Sequence, residues 1–210
     1  MSTPMKMSPS LRPLPIHWGL LVASVLVLAA IYWLRTHEPS FEDKLAPMVV
    51  SGGLDERVQA RNFAVRVKKL KLARAYLVPA KGYGDPPVQA RPDGVWLSVL
   101  GEVTPLQEPG FVSAWLRAAD GRTFVASSGD RPRVRSLNLA TVQLATGLAA
   151  GGAYFFDIPE DALPGARLQF FWGLSNPGDM DHLIEIDPGL DAAAVRRLRD
   201  EAVPELNLVP

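Results

Sequence analysis

The 210-residue sequence predicts a mainly β protein, in which a β-sandwich follows one N-terminal transmembrane helix and precedes a short C-terminal helix. Three observations support this expectation. A long apolar run occupies residues 16–34. Downstream, short apolar segments bounded by Gly and Pro recur at intervals of about 8–12 residues, which is the spacing of sandwich strands. No long amphipathic helical pattern interrupts them before the C-terminal end.

The N-terminal run is long enough to cross a bilayer. Residues 16–34 are uncharged, and a helix of that length, rising about 1.5 Å per residue, spans a hydrocarbon layer of about 30 Å. Trp18 and Trp33 stand where interfacial aromatic residues occur. The length favours an uncleaved anchor. The alternative is a cleaved signal peptide with a small-residue cleavage site at residues 27–29.

The charges beside the helix indicate a topology and a domain order. Lys6 and Arg12 precede the helix without any acidic residue, which favours a cytoplasmic N-terminus and an extracytoplasmic body. We therefore expect a single-pass protein of the cell membrane. Its expected segments are a cytoplasmic tail at residues 1–15, the transmembrane helix at 16–34, a linker at 35–46, the sandwich at 47–174, and an extension with a short strand and helix at 175–210.

An early strand shows a break in its alternation. Residues 63–67 alternate apolar and polar side chains, whereas the apolar positions after Lys68 and Lys69 fall in the opposite register. One extra residue reverses the faces of a strand, so the sequence predicts a β-bulge at the two lysines. Residues 81–94 contain three Pro and three Gly, and we expect a long loop there, of the kind that often carries function.

The later segments predict a hairpin, further strands and a capped helix. Asp120 and Gly121 have the residue types of a hairpin turn between strands at residues 111–116 and 123–126. Phe155 and Phe156 are adjacent in a strand and must point to opposite faces, so an uncovered face there would mark a contact site. We also expect a small-residue turn at 147–152, a tight turn at 159–165, a strand at 183–186, and a helix that is capped by Asp191 and ended by Pro204.

Four of these segments together resemble a known family. They are residues 58–67, 94–99, 119–124 and 151–159. In order and pattern they are similar to the immunoglobulin-like domains of unknown function on exported actinobacterial proteins, a family that includes a small secreted mycobacterial immunogen. The resemblance covers about residues 47–173 and implies an immunoglobulin-like β-sandwich. The family carries no agreed catalytic residues, so it implies none here.

Composition excludes several classes of function. Lys and Arg number 22 against 22 Asp and Glu, so the net charge is zero and no global attraction to nucleic acid exists. The absence of Cys excludes disulfides, thiolate metal sites and cysteine nucleophiles. With three His and no nucleophile-elbow motif, neither a zinc site nor a catalytic triad is predicted. The acidic residues at 179–187 are interpreted as a solvent-exposed turn, since their order fits no EF-hand. We expect neither an enzyme nor a cofactor.

Basic side chains form the best candidate for a binding surface. They fall in two strips at strand spacing, and the loop at residues 81–94 adds two contact candidates. The basic candidates are Arg66, Lys68, Lys71, Arg131, Arg133 and Arg135, and the loop candidates are Tyr83 and Asp85. The alternative interpretation is a solvated sheet face.

The membrane helix and the missing catalytic groups lead to a functional hypothesis. We expect a membrane-anchored, extracytoplasmic protein that acts by binding another envelope protein. Its role would be that of an accessory or scaffold subunit in a cell-envelope assembly or transport system. The alternative is a binding module that holds an anionic envelope ligand, either a lipid head group or a wall polymer, on the basic strand face.

Overall fold

The computed structural model describes residues 18–36, 45–80, 82, 84–127, 132, 137–178 and 180–209. Contacts divide the chain into two compact units, Met1–Lys44 and Leu45–Pro210. The first unit contains α1, Trp18–Thr36, a helix of 19 residues with no buried side chain. This helix is long and apolar enough to span a membrane or to serve as a signal sequence.

In the described part of the second unit, twelve strands form three sheets beside a 3-10 turn, Glu160–Ala162, and a helix, α2, Ala192–Asp200. The sheets have the orders β1-β11-β10-β7-β8, β2-β3-β6-β9 and β12-β4-β5. The strands are β1 Met48–Gly53, β2 Arg57–Gln59, β3 Phe63–Ala73, β4 Tyr76–Val78, β5 Val88–Ala90, β6 Val95–Pro105, β7 Val112–Arg117, β8 Thr123–Val125, β9 Ala150–Ile158, β10 Arg167–Trp172, β11 His182–Asp187 and β12 Leu206–Asn207.

The two larger sheets form an immunoglobulin-like β-sandwich, as expected. In the four-stranded sheet β6 lies between β3 and β9, just as strand B of an immunoglobulin domain lies between strands A and E. In the five-stranded sheet β10 lies between β7 and β11, just as strand F of an immunoglobulin domain lies between strands C and G. Inner-face side chains of both sheets share one core, to which Phe63 and Phe156 contribute from one sheet and Leu116 and Phe170 from the other.

Tyr154 joins the two sheets across this core. Its hydroxyl donates to the carbonyl oxygen of Val112 on the opposite sheet at 2.9 Å, and its ring meets Phe170 edge-on at a centroid distance of 5.3 Å. Burial raises the pKa of the Tyr154 phenol well above its usual range. The phenol is therefore held in its neutral form, with its single donor satisfied.

The predicted β-bulge is present. Pairing between β3 and β6 shifts between Val67 and Lys69, so Lys68 is the extra residue. Gly101 lies opposite Val67, and a Cβ atom built there would stand 2.4 Å from the carbonyl oxygen of Arg66. The two backbones approach too closely for a side chain at this position, which explains the glycine. After the bulge, the apolar residues of β3 again face the main core.

The hairpin and the helix cap also agree with the prediction. β7 pairs antiparallel with β8, and Gly121 between them has a φ of +91°. The Asp191 carboxylate accepts hydrogen bonds from the N–H groups of Ala193 and Ala194 at 2.9 and 2.7 Å. The helix ends at Asp200, earlier than the expected stop at Pro204. Val203 has left the helix to exchange backbone hydrogen bonds beside the end of β3.

Two turn predictions were wrong in part. The expected loop at residues 81–94 contains β5, Val88–Ala90, because these residues pair with β4. The expected turn at 147–152 is shorter, because Gly151 and Gly152 belong to β9 and pair with the far end of β6. The strand of the C-terminal extension lies between β1 and β10, so the sandwich extends past residue 174.

A second, smaller core lies on the outer face of the four-stranded sheet. Tyr76, Trp96 and Phe155 are its largest members, and each is almost completely buried. The small sheet β12-β4-β5 supplies residues of this cluster from outside, and Leu208, which follows β12, adds another. Both faces of β9 are therefore covered at Phe155 and Phe156, and both rings are core residues.

Candidate ligand groove beside the basic strand

The outer face of the four-stranded sheet carries the described part of the predicted basic surface. Arg66 donates from Nε to Oδ1 of Asp55 at 2.9 Å, and Lys68 Nζ lies 2.5 Å from Oε1 of Glu102. Both pairs are substantially exposed, so each adds little stability, about 0–1 kcal/mol. Their main effect here is to neutralise part of the basic strip at the end of the sheet near β2.

Lys71 differs from these two residues. It stands opposite Ser98 of β6 on the outer face and is half-buried, and its ammonium forms no ion pair or hydrogen bond with any described residue. Lys69 stands opposite Leu100 on the same face and is exposed, and its side chain likewise has no partner among the described residues. The unneutralised part of the strip is thus at Lys69 and Lys71.

Lys71 borders an apolar groove of about 410 Å³ on this face. The volume falls in the range of about 300–1,000 Å³ that is typical of small-molecule sites. Apart from Lys71 and Ser98, the groove is lined by apolar residues and glycines: Leu100, Leu137, Gly151, Gly152, Ala153, Phe155, Leu206 and Leu208.

Small residues on β9 create the groove. Gly151, Ala153 and Phe155 face the same side of the sheet, opposite Glu102, Leu100 and Ser98 of β6. The first two of these β9 residues leave room where larger side chains would fill the face. A Cβ atom built on Gly151 meets nothing within 4 Å, so this position opens directly into the groove.

The second core closes one end of the groove. The hydroxyls of Tyr76 and Ser98 lie 2.6 Å apart, and the indole Nε1 of Trp96 donates to the carbonyl of Ala90 at 3.1 Å. The Tyr76 and Trp96 rings stack at a centroid distance of 4.9 Å. Burial raises the pKa of the Tyr76 phenol. Ser98, the hydroxyl-bearing side chain among the described residues of the groove, is thus already engaged.

The strand edge beside the groove is also partly occupied. The N–H of Ala153 donates to the carbonyl of Leu137 at 2.8 Å, and the N–H of Leu139 donates to the carbonyl of Ala153 at 3.0 Å. Residues 137–139 therefore occupy the N–H and C=O groups of Ala153 on this edge of β9, at the middle of the groove. An incoming peptide strand could not form a ladder there.

The other sequence candidates do not enlarge this site. Asp85 is exposed on the segment that precedes β5. The Asp181 carboxylate accepts hydrogen bonds from the side chain of Asn62 at 3.3 Å and from the N–H of His182 at 2.8 Å. Within the described residues no three or more His, Asp or Glu side chains converge as metal ligands. The remaining candidates, Arg131, Arg133, Arg135 and Tyr83, lie outside the described residues.

Sequence reasoning found Lys71 but missed the groove beside it. The available signal was the alternation of small residues at Gly151 and Ala153 next to aromatic residues in one strand. A second signal was the alternation of Leu206 and Leu208, which is typical of a short strand with one apolar face.

The comparisons with known proteins assign no family to the chain. No family model matches the chain, and no curated protein matches it. One similar solved structure is the yjhA protein from Bacillus subtilis, with 16% identity and a TM-score of 0.43, covering 64% of this chain and 99% of that chain. Another is an uncharacterized β-sandwich protein from Clostridium difficile, with 10% identity and a TM-score of 0.37, covering 70% of this chain and 99% of that chain. The resemblance to exported actinobacterial domains stays a prediction.

Proposed function

We propose that the protein is a membrane-anchored binding protein whose extracytoplasmic body holds an anionic, partly apolar envelope ligand on the outer face of the four-stranded sheet. The observation that carries this proposal is the apolar groove of about 410 Å³ with Lys71 at its border, a side chain that has no partner among the described residues. In this role the protein would be an accessory component of a cell-envelope assembly or transport system. No step of the proposed function requires catalysis.

The composition of the groove indicates what kind of ligand it can hold. Burying apolar surface stabilises a complex by about 25 cal/mol per Å², so an apolar body supplies most of the binding free energy. A buried or half-buried cation favours an opposite charge within hydrogen-bond distance. Lys71 therefore selects ligands with a negative group beside their apolar part.

The anchor is the second component of the proposal. Every described residue of α1 is exposed, and the helix is long and apolar enough to cross a membrane or to serve as a signal sequence. A surface of that kind is stable in a lipid environment. The body begins shortly after the helix, at Leu45. A membrane location would supply amphipathic ligands at high local concentration.

Site-specific photo-crosslinking of the full chain in its native cells tests the proposal. A benzoylphenylalanine in place of Leu137, which lines the groove and is 42% exposed, should capture the occupant. The matched control replaces Leu148, which is 67% exposed and does not line the groove. We expect a small-molecule adduct at position 137 that is absent at position 148. Equal or absent adducts at both positions would refute a groove-bound ligand.

A scaffold role has its own supporting observation. β5 is an edge strand of the small sheet, and Val88 on it is 54% exposed. An exposed strand edge with an apolar side chain can accept a strand from a partner protein. The same photo-crosslinker at Val88 separates the two roles. A scaffold would give a protein-sized adduct at Val88 in stoichiometric yield, whereas a ligand carrier would give its adduct at Leu137.

A further inference from the structure

We infer that the occupant of the groove is a single hydrocarbon chain that ends in an anionic group, such as a fatty acid anion. This inference rests on the proposed function, because it names the ligand class of the same groove. Three properties of the groove carry it: among its described lining residues no side chain except Lys71 is a free hydrogen-bonding group, Lys71 places a charge at the border, and the space at Gly151 is open.

The walls favour hydrocarbon over peptide. Ser98 is engaged with Tyr76, and Ala153 already bonds residues 137–139 through both of its backbone groups. A peptide segment in this groove would leave the N–H and C=O groups that face its walls without partners, which disfavours a peptide occupant. A methylene chain has no polar group to satisfy and gains from burial against Leu100, Phe155 and the two leucines of the tail.

The charges favour an anionic terminus. None of the described residues that line the groove is Asp or Glu, and Lys71 can lay its methylene stem on the apolar wall while its ammonium stays at the rim. A smaller cleft of about 90 Å³ adjoins Lys71 and also contains Lys69 and Glu201. Two lysines against one glutamate leave this border positive. A carboxylate or phosphate at the chain end would therefore find a complementary charge.

Gly151 supplies the means to block the groove without breaking the fold. A Cβ atom there meets nothing within 4 Å, and the residue has no positive φ, so a leucine side chain can extend into the groove. Gly53 in β1 is the matched control. It is a strand glycine whose Cβ position has only Glu56 Oε2 at 3.9 Å, and it does not line the groove.

The experiment uses the full chain in nanodiscs of zwitterionic lipid, with a diazirine-bearing dodecanoic acid as the probe. Peptide mapping after irradiation reports which residues are labelled. Unlabelled carboxylic acids of 8, 10 and 12 carbons then compete, and dodecanol serves as the uncharged comparison. We expect labelling on the groove residues, affinity rising about fourfold per added methylene, and a preference of about tenfold for the acid over the alcohol.

The variants separate shape from charge. Gly151→Leu should abolish groove labelling, whereas Gly53→Leu should leave it intact. Lys71→Gln should remove the preference for the acid while the chain-length dependence remains. Arg117→Gln, which removes an exposed charge from the opposite sheet, should change neither. The near-ultraviolet circular dichroism of each variant verifies its fold, and Lys71→Gln tests the inference independently if Gly151→Leu fails to fold.

Different failures point to different errors. Labelling that Gly151→Leu does not reduce, or equal affinity of wild-type protein for acid and alcohol, would overturn the inferred ligand class. If the Leu137 crosslinker still captures a small molecule in cells, the proposed binding function stands without it. If the crosslinker at position 137 captures nothing and the fatty-acid probe also labels no groove residue, the proposed function itself is wrong.

Discussion

Replacing Phe155 by alanine should destabilise the body nearly as much as replacing Phe156, although the two rings point to opposite faces of one strand. Phe155 is 1% exposed and meets the Tyr76 ring edge-on at 5.6 Å, while Phe156 is 0% exposed in the main core. Phe→Ala substitutions in cores cost about 3–5 kcal/mol. Because Phe155 also lines the groove, the space left behind opens to an existing cavity, which places its cost near the lower end, at about 3 kcal/mol.

Urea denaturation of the full chain in a mild detergent measures this cost. With an m-value of about 2 kcal/mol per M, a loss of about 3 kcal/mol lowers the midpoint by about 1.5 M. Val125→Ala is the control, because this side chain is 61% exposed and should change stability by less than about 0.5 kcal/mol. A Phe155→Ala protein that loses less than about 1 kcal/mol would refute the second core and make the ring a surface residue.

Three further predictions concern pH, capping and the anchor. Burial raises the folded-state pKa of Tyr76 above its unfolded value of about 10, so its contribution to stability is full below pH 10 and falls as pH rises further, by up to about 1.4 kcal/mol per pH unit. Tyr76→Phe should therefore reduce the slope of an alkaline urea titration, while the buried Tyr154 keeps the rest of it. An unchanged slope would contradict this. Hydrogen bonds from the N–H groups of Ala194 and Ala193 lower the pKa of Asp191, so the cap stabilises above the unfolded pKa of about 4 and is lost as pH falls through the folded value. Asp191→Ala should lower the melting temperature at pH 7, and this difference should shrink as the pH is lowered below 4. A difference that stays the same in acid would contradict the cap. An uncleaved anchor predicts that tryptic peptides preceding residue 27 are recovered from the membrane fraction, whereas a mature chain that begins after residue 29 would identify a signal peptide.

The features that sequence reasoning predicted correctly have local causes. The bulge follows from a reversal of polarity at two adjacent lysines, the hairpin from Asp120 and Gly121, and the cap from Asp191 before a helical segment. Each of these signals spans a few residues, and the structure that it specifies lies within one or two neighbouring strands. The sandwich itself followed from the repeated spacing of strands and turns.

The features that were missed depend on contacts between distant segments. β4, β5 and β12 contain two or three residues each, too few to show a periodic pattern, and β12 pairs with β4 across much of the chain. The groove combines Leu100, Gly151 and Leu206, which come together only when β9 and the C-terminal tail are placed. In the basic strip, Lys68 has an acidic partner, whereas Lys69 and Lys71 have none among the described residues. This difference depends on the register between β3 and β6, which sets Glu102 opposite Arg66 and within reach of Lys68.

The most direct test of the central claim, a ligand in the groove, is the mass of the adduct formed by a photo-crosslinker at Leu137 in intact cells. We predict one adduct of lipid-like mass at this position, its loss when Gly151→Leu is added, and no adduct at Leu148. An adduct that survives Gly151→Leu, or an identical yield at Leu148, would contradict the claim.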